Sequence, residues 1–308
     1  MMLPPTIPDK PFTWAHARDA GFTQDHLNEL VRTHKVRRVL RGVYQRADQP
    51  DTLLGRAQAV ILVLQPFVVI CDRTAAWLHG VDTFEHRELE ILPPLETFVL
   101  RGHSRLRRLG CTGGQRDLAA RDICVVDGVT VTTTLRTALD LACKLGRRDA
   151  LAILDGFMRK HGLTRPEMER ELVRYRRRRG VVQARELVPM ADPRSESVGE
   201  SWTRLEIIDA GLPAPRPQYW VRRPGGEPIR LDLAYPLSRV AIEYDGREFH
   251  ESDERREHDR KRRRWLRDHG WTVIVVDKDS FKGAALDGWI LELRTALHCG
   301  DAGVRTRR

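Results

Sequence analysis

The chain has 308 residues, enough for two or three domains that each bury a core. With 41% hydrophobic and 31% charged residues it has the composition of a globular protein. A net charge of +10 and a pI near 9.8 favour polyanionic partners, nucleic acid above all, although an arginine-rich codon bias alone also raises such numbers.

Five cysteines, none in a C-x-x-C pair, read as reduced and mostly buried thiols, excluding a disulfide frame or a zinc site. The proline-rich start, Met1 to Lys10, lacks the apolar core of a signal peptide. The longest apolar stretch, Ala59 to Ile70, is broken by Gln65 and Pro66 and is too short to span a bilayer. A cytoplasmic protein with no membrane partner is expected.

The first unit expected is residues 1–52. FTWAHARDAG predicts a short helix stopped by Gly21, and TQDHLNELVRTHK a second one with Thr23 as N-cap and Leu27, Leu30 and Val31 as its apolar stripe. VRRVLRGVYQRA predicts two short strands hinged at Arg41-Gly42. Two close helices and a basic hairpin make a minimal winged helix-turn-helix, with Arg37, Arg38, Arg41 and Arg46 where a wing meets phosphates. Solvated arginines on a structural cap are the plainer alternative.

Residues 53–190 predict a mixed α/β middle region. RAQAVILVLQ reads as helix, FVVI with DRTAAWLHG as a strand-to-helix step, and ELEILP and FVLRG as strands. TTTLRTALDLACKLG and RDALAILDGFMRKHG are periodic helices. The run Arg176 to Arg179 is expected at the end of the next helix, before Gly180, either touching phosphates or complementing the helix dipole.

MADPRSESVGE clusters Pro, Asp and Ser and marks a boundary to a last domain, 191–308. The order expected there is helix (about Ser197 to Ala210), strand QYWVRR, turn PGGEP, strand IRLDLAYP, strand RVAIEYDG, a charged helix (about Asp253 to His269), strand WTVIVVD and a final helix (about Ala285 to Leu297). The whole is an α/β multidomain chain.

The hairpin IRLDLAYP-LS-RVAIEYDG is the most informative segment. A turn centred on Leu237-Ser238 sets Asp232 opposite Glu243, with Cβ atoms about 5 Å apart. Alternation then puts Leu231, Leu233 and Tyr235 with Val240, Ile242 and Tyr244 on one face, and Asp232, Ala234, Ala241, Glu243 and Asp245 on the other. Clustered carboxylates repel unless a cation neutralises them, and oxygen ligands suit Mg²⁺ or Mn²⁺. Such an ion polarises a scissile phosphate and acidifies an attacking water. The alternative is an acidic face paired to arginines. The apolar VIVV run speaks against open exposure, since it predicts a central strand covered on both sides.

ESVGESWTRLEIIDAGLPAPRPQYWV, RLDLAYP, VAIEYDGREFH and DRKRRRWLRDHGWTVIVV, in that order, resemble domain of unknown function 559. That family belongs to the PD-(D/E)XK nuclease superfamily and is related to the very-short-patch-repair (Vsr) endonucleases. The resemblance covers about a third of the chain and implies a restriction-endonuclease-like mixed sheet flanked by helices, with Mg²⁺ (or Mn²⁺) as cofactor. By it, Asp232 matches the motif Asp, Glu243 the D/E, and Glu200 an acidic residue that completes the metal site. The motif lysine is missing, for Asp245 stands in its place and becomes a further metal ligand or orients a base. The acid/base role then moves to His250. Gln218 matches a polar position that touches DNA or metal-bound water, and Lys261, Arg262, Arg263 and Arg264 form a basic helix face for the phosphate backbone.

At the front, FTWAHARDAGFTQDHLNELVRTHKVRRVLRGVYQ is similar to the winged-helix domain of AbiEi-type antitoxins, autorepressors of type IV toxin–antitoxin systems, most tellingly at RGVY. DRTAAWLHGV and VTTTLRTALDLA look like the continuation of those proteins. Nucleotide hydrolysis, dinucleotide binding and serine-hydrolase chemistry have no motif. Two functions are therefore expected in competition. One is a metal-dependent endonuclease acting on double-stranded DNA through Asp232, Glu243, Glu200 and His250. The other is a non-catalytic DNA-binding regulator with a toxin or another defence or repair protein as partner.

Overall fold

In the computed structural model, residues 6–63, 67–83, 88, 92–104, 110–246 and 253–305 are described, and the chain divides into two compact units, 1–141 and 142–308. The fold is mixed α/β with three sheets.

The first unit opens on β1 (Phe12–Thr13), α1 (Trp14–Asp19), α2 (Gln24–Arg32), β2 (Val36–Leu40) and β3 (Val43–Arg46), with the sheet in the order β1-β3-β2. Thr13 and Thr23 cap the two helices by accepting the His16 and His26 amide N–H groups. Phe12, Ala17, Phe22, Leu27, Leu30 and Val36 form its small core. Gly42, at φ +81°, makes the hinge between β2 and β3 that a side chain would resist. This is the expected winged helix-turn-helix arrangement.

Next come α3 (Leu53–Ile61), β4 (Val68–Ile70), α4 (Asp72–Leu78), β5 (Leu95–Leu100), β6 (Cys111–Thr112), β7 (Gln115–Arg116), β8 (Ile123–Val126), β9 (Val129–Thr132) and α5 (Thr134–Lys144). The sheet runs β6-β5-β4-β9-β8, with β7 also on β5. FVVI and FVLRG contribute strands as expected, whereas ELEILP lies outside the described residues at 89–91 and its other three residues, Glu88, Leu92 and Pro93, are not in a strand. A buried ion cluster fastens α4 and α5. Arg116 donates two hydrogen bonds to Asp72, at 2.6 and 2.9 Å, and a third to Asp140 at 2.8 Å. Arg136 joins Asp140 at 3.0 Å to Asp122 at 2.9 Å. No disulfide joins cysteines among the described residues, but only Cys71 is fully buried, and burial raises its thiol pKa above the ordinary value.

The second unit starts with α6 (Arg147–His161), α7 (Arg165–Glu171) and α8 (Val181–Leu187). Here the expected basic helix end is corrected. Arg176 to Arg179 lie in the turn after a 3-10 segment, Leu172–Tyr175, and Gly180 caps the start of α8. A Cβ on Gly180 would meet the Cys143 carbonyl oxygen at 1.9 Å, so the chain needs glycine there to pass. Then follow α9 (Val198–Asp209), β10 (Arg216–Val221), β11 (Ile229–Tyr235), β12 (Val240–Tyr244), α10 (Asp253–Asp268), β13 (Thr272–Val276) and α11 (Gly283–Arg305). The sheet order is β10-β11-β12-β13, antiparallel except for the β12–β13 pair. One face carries Leu233, Val240, Ile242 and Ile274 against Ile207, Trp289 and Leu293 of α9 and α11. The other carries Ala234, Ala241 and Val273 against Leu266 of α10. β13 is an outer strand among the described residues, not the central one expected, and Val275 is 37% exposed. Its apolar run reflects helices on both faces of an outer strand.

The Pro/Asp/Ser cluster that reads as a domain boundary is buried at Ala191, Asp192 and Ser195. Its anchor is Asp155 on α6, which accepts the Asp192 amide N–H at 2.7 Å, the Ser201 hydroxyl at 2.6 Å and Arg204 Nη2 at 2.5 Å. Arg204 also donates to the Met190 carbonyl and the Ser195 hydroxyl. Removing one member of a buried pair strands the other charge. Arg204→Met is expected to lower stability by about 3–5 kcal/mol in urea unfolding, with Arg204→Met/Asp155→Leu less damaging than the single change.

Candidate functional site

The carboxylates expected to act together sit where β11 and β12 part. The hairpin pairs Leu233 with Ile242, Ala234 with Ala241 and Tyr235 with Val240, the register that sets Asp232 opposite Glu243. Beyond Leu233 the ladder opens: Asp232 Oδ2, not a backbone carbonyl, accepts the Tyr244 amide N–H at 3.0 Å. The strict alternation expected fails at this point. Leu231 packs with Ala234, Ala241 and Leu266, on the face opposite Leu233 and Ile242. A side chain that enters the ladder lets the strand twist out of simple period-two order.

Glu200 reaches the site from the first turn of α9, capped by Ser197. Its Oε2 accepts the Glu196 amide N–H and Gln218 Nε2, both at 2.9 Å. Gln218 has φ +52°, a left-handed conformation costly for a residue with a Cβ. Its Oε1 is buried without a hydrogen-bond partner. Gly199 brings α9 close to the sheet, for a Cβ there would lie 2.1 Å from the Tyr244 ring.

The cations come from α10. Arg262 Nη2 and Arg263 Nε both meet Glu243 Oε2 at 2.9 Å, and Arg263 Nη2 meets Asp245 Oδ2 at 3.3 Å. Two of the four basic residues expected on an outward helix face are thus turned inward; Lys261 and Arg264 are exposed. Periodicity could not separate them, since neighbours on a helix differ by about 100° and all four are basic. His250 lies outside the described residues.

Burial pushes the Asp232 carboxyl up to about 6, with the Glu200 and Glu243 carboxylates adding to the rise and the Tyr244 N–H and Arg262 opposing it. The residues as arranged do not fit a divalent ion. Among the described residues no group of three or more His, Cys, Asp or Glu side chains assembles a metal-holding cluster. Guanidinium groups take the Glu243 oxygen and the Asp245 oxygen that a metal would need, although Glu243 Oε1 is buried without a partner. The expected metal set of Asp232, Glu243, Glu200 and Asp245 is brought to one end of the sheet, with Glu243 and Asp245 held by arginine and Asp232 and Glu200 held by backbone N–H groups and Gln218.

In the winged helix, Arg38 and Arg41 are exposed on the hairpin. Arg37 instead donates to Gln45 Oε1 and to the Gln49 carbonyl, and Arg46 pairs with Asp9 and Asp48. Only part of the expected basic wing therefore faces outward. No helix among the described residues is long and apolar enough to cross a membrane.

Comparison with known proteins adds a family. The sequence model of the AbiEi antitoxin C-terminal domain matches residues 68–190, β4 through α8, where the antitoxin-like continuation was expected. Two Mycobacterium tuberculosis relatives, uncharacterized protein MT2308 and uncharacterized protein Rv2248, are each 37% identical over 260 residues, spanning 84% of this chain and 92% of the relative.

The raised Asp232 pKa has a definite sign. Its folded value lies above the unfolded value of about 3.9, so the group costs stability as pH rises from about 4 to about 6, and in full above that. Asp232→Asn keeps an oxygen for the Tyr244 N–H and is expected to gain about 2 kcal/mol at pH 7.5 but little at pH 4, read by urea unfolding. Equal gains at both pH values would show that the site does not strain the charge.

Proposed function

We propose that this chain, which belongs to the same family as the two Mycobacterium tuberculosis proteins, is a DNA-binding regulator of the antitoxin type that acts in the cytoplasm. The observation that carries this reading is the AbiEi antitoxin match at residues 68–190, directly behind a winged helix-turn-helix at residues 12–46. An exposed basic hairpin beside two capped helices suits duplex DNA, with the hairpin on phosphates. The second partner is a toxin protein, met through the antitoxin-like region.

Arg38 and Arg41 touch the DNA backbone in this reading and carry no sequence information. Arg38→Ala/Arg41→Ala is expected to weaken duplex binding by about tenfold or more, equally for all sequences. The slope of log K against log salt should fall by about 0.9 for each phosphate that is no longer neutralised. An unchanged slope in a mobility-shift or anisotropy titration would move the DNA-binding surface elsewhere.

A second reading, phosphodiester hydrolysis at the carboxylates, is favoured by the register that sets Asp232 opposite Glu243 and by the raised Asp232 pKa. It requires Arg262 and Arg263 to release Glu243. Plasmid DNA incubated with Mg²⁺ or Mn²⁺ separates the readings. Nicking that disappears in Asp232→Ala establishes the nuclease, whereas a clean shift of intact DNA with either ion leaves the regulator alone.

A further inference from the structure

Trp220 lies on β10, an outer strand of its sheet among the described residues, and is 56% exposed. An indole costs stability when left in water, and every other large apolar side chain on the strands of this sheet is less than half exposed. It stands directly across from Arg230, whose guanidinium lies 5.8 Å above the ring centroid, within cation–π range. Glu196 fixes that guanidinium with two hydrogen bonds of 2.9 Å. Beside this pair Arg216 and Arg222 are exposed on the same strand and just beyond its end, with Glu227 the acidic residue of the following turn. Gln218, the Glu200 partner, is two residues along the strand, about 7 Å away.

From this we infer that Trp220 and Arg230 form a stacking platform for an unpaired nucleobase, with Arg216 and Arg222 engaging the adjoining phosphates. A flat, exposed aromatic group held beside cationic side chains suits single-stranded nucleic acid, because each base offers a π-face and each link a negative charge. A duplex hides those base faces, so the platform takes a strand end, a loop or a flipped base. A strand seated there runs beside the Asp232–Glu200 carboxylates. The inference goes beyond the winged-helix reading, since these residues belong to the other unit.

The test uses the full chain and a short, labelled single-stranded oligonucleotide, titrated by fluorescence anisotropy, with thermal melts to check folding. Trp220→Leu is expected to weaken single-strand binding about tenfold, the size of one base stack, while Trp220→Phe retains most of it. Arg38→Ala/Arg41→Ala should leave single-strand binding intact while lowering duplex binding, which separates this platform from the winged helix. Equal single-strand affinity of wild type and Trp220→Leu overturns the inference, as does a wild type that binds no single strand. Loss of self-association in Trp220→Leu, seen by size exclusion without single-strand affinity, also overturns it and assigns the strip to a second copy of the chain.

Discussion

The Asp155 carboxylate holds the C-terminal unit in register with itself. It sits inside α6 and accepts hydrogen bonds from a backbone amide at Asp192, a hydroxyl at Ser201 and the guanidinium of Arg204. A charge out of water is tolerable only when several donors converge on it, and these donors come from two segments distant in sequence from α6. The segment 190–195 and helix α9 are thereby tied to one point. α9 in turn delivers Glu200 to the sheet, and the residues just before it deliver Glu196. The geometry of the carboxylate end and of the Trp220–Arg230 pair therefore depends on an ion cluster that belongs to neither.

The carboxylate end shows how a fold sets hydrogen-bond donors and guanidinium groups against like charges. Asp232 enters the ladder and takes a backbone N–H, which opens the strands and turns Leu231 to the other face. Glu243 and Asp245 are met by Arg262 and Arg263. Asp232 and Glu200 receive less cationic help, and the Asp232 pKa rises accordingly. The site stores electrostatic strain that a uniformly paired cluster would lack.

The two units present different chemistry to a polyanion. In the first, exposed Arg38 and Arg41 project from a hairpin beside two helices, an arrangement suited to the backbone of a duplex. In the second, an exposed indole and a guanidinium lie beside each other on a strand, suited to base faces. Many arginines behind the +10 charge are spent inside the protein. Arg136 and Arg204 are buried and Arg116 is partly buried against aspartates, so net charge overstates the cationic surface.

Much of the fold was legible in the chain order. The Thr23 cap, the apolar stripe of Leu27, Leu30 and Val31 and the Arg41-Gly42 hinge pointed to the winged helix, because caps and turns are settled within a few residues. The hairpin register was legible for the same reason, a four-residue turn leaving one pairing that keeps Val240 and Ile242 inside. By contrast, the 191–197 cluster reads as a domain boundary in composition, yet Ala191, Asp192 and Ser195 are buried because Asp155 lies across from them. Whether Arg262 and Arg263 face water or Glu243 is decided by how α10 packs on the sheet, and Trp220 remains exposed because no described element covers β10 on that side. Sequence by itself determined most element types, the Thr23 cap and the register of the β11–β12 hairpin, all set by short-range geometry. Tertiary packing alone decided which cations meet which carboxylates and which aromatic group faces water, since those energies depend on groups brought together from distant parts of the chain.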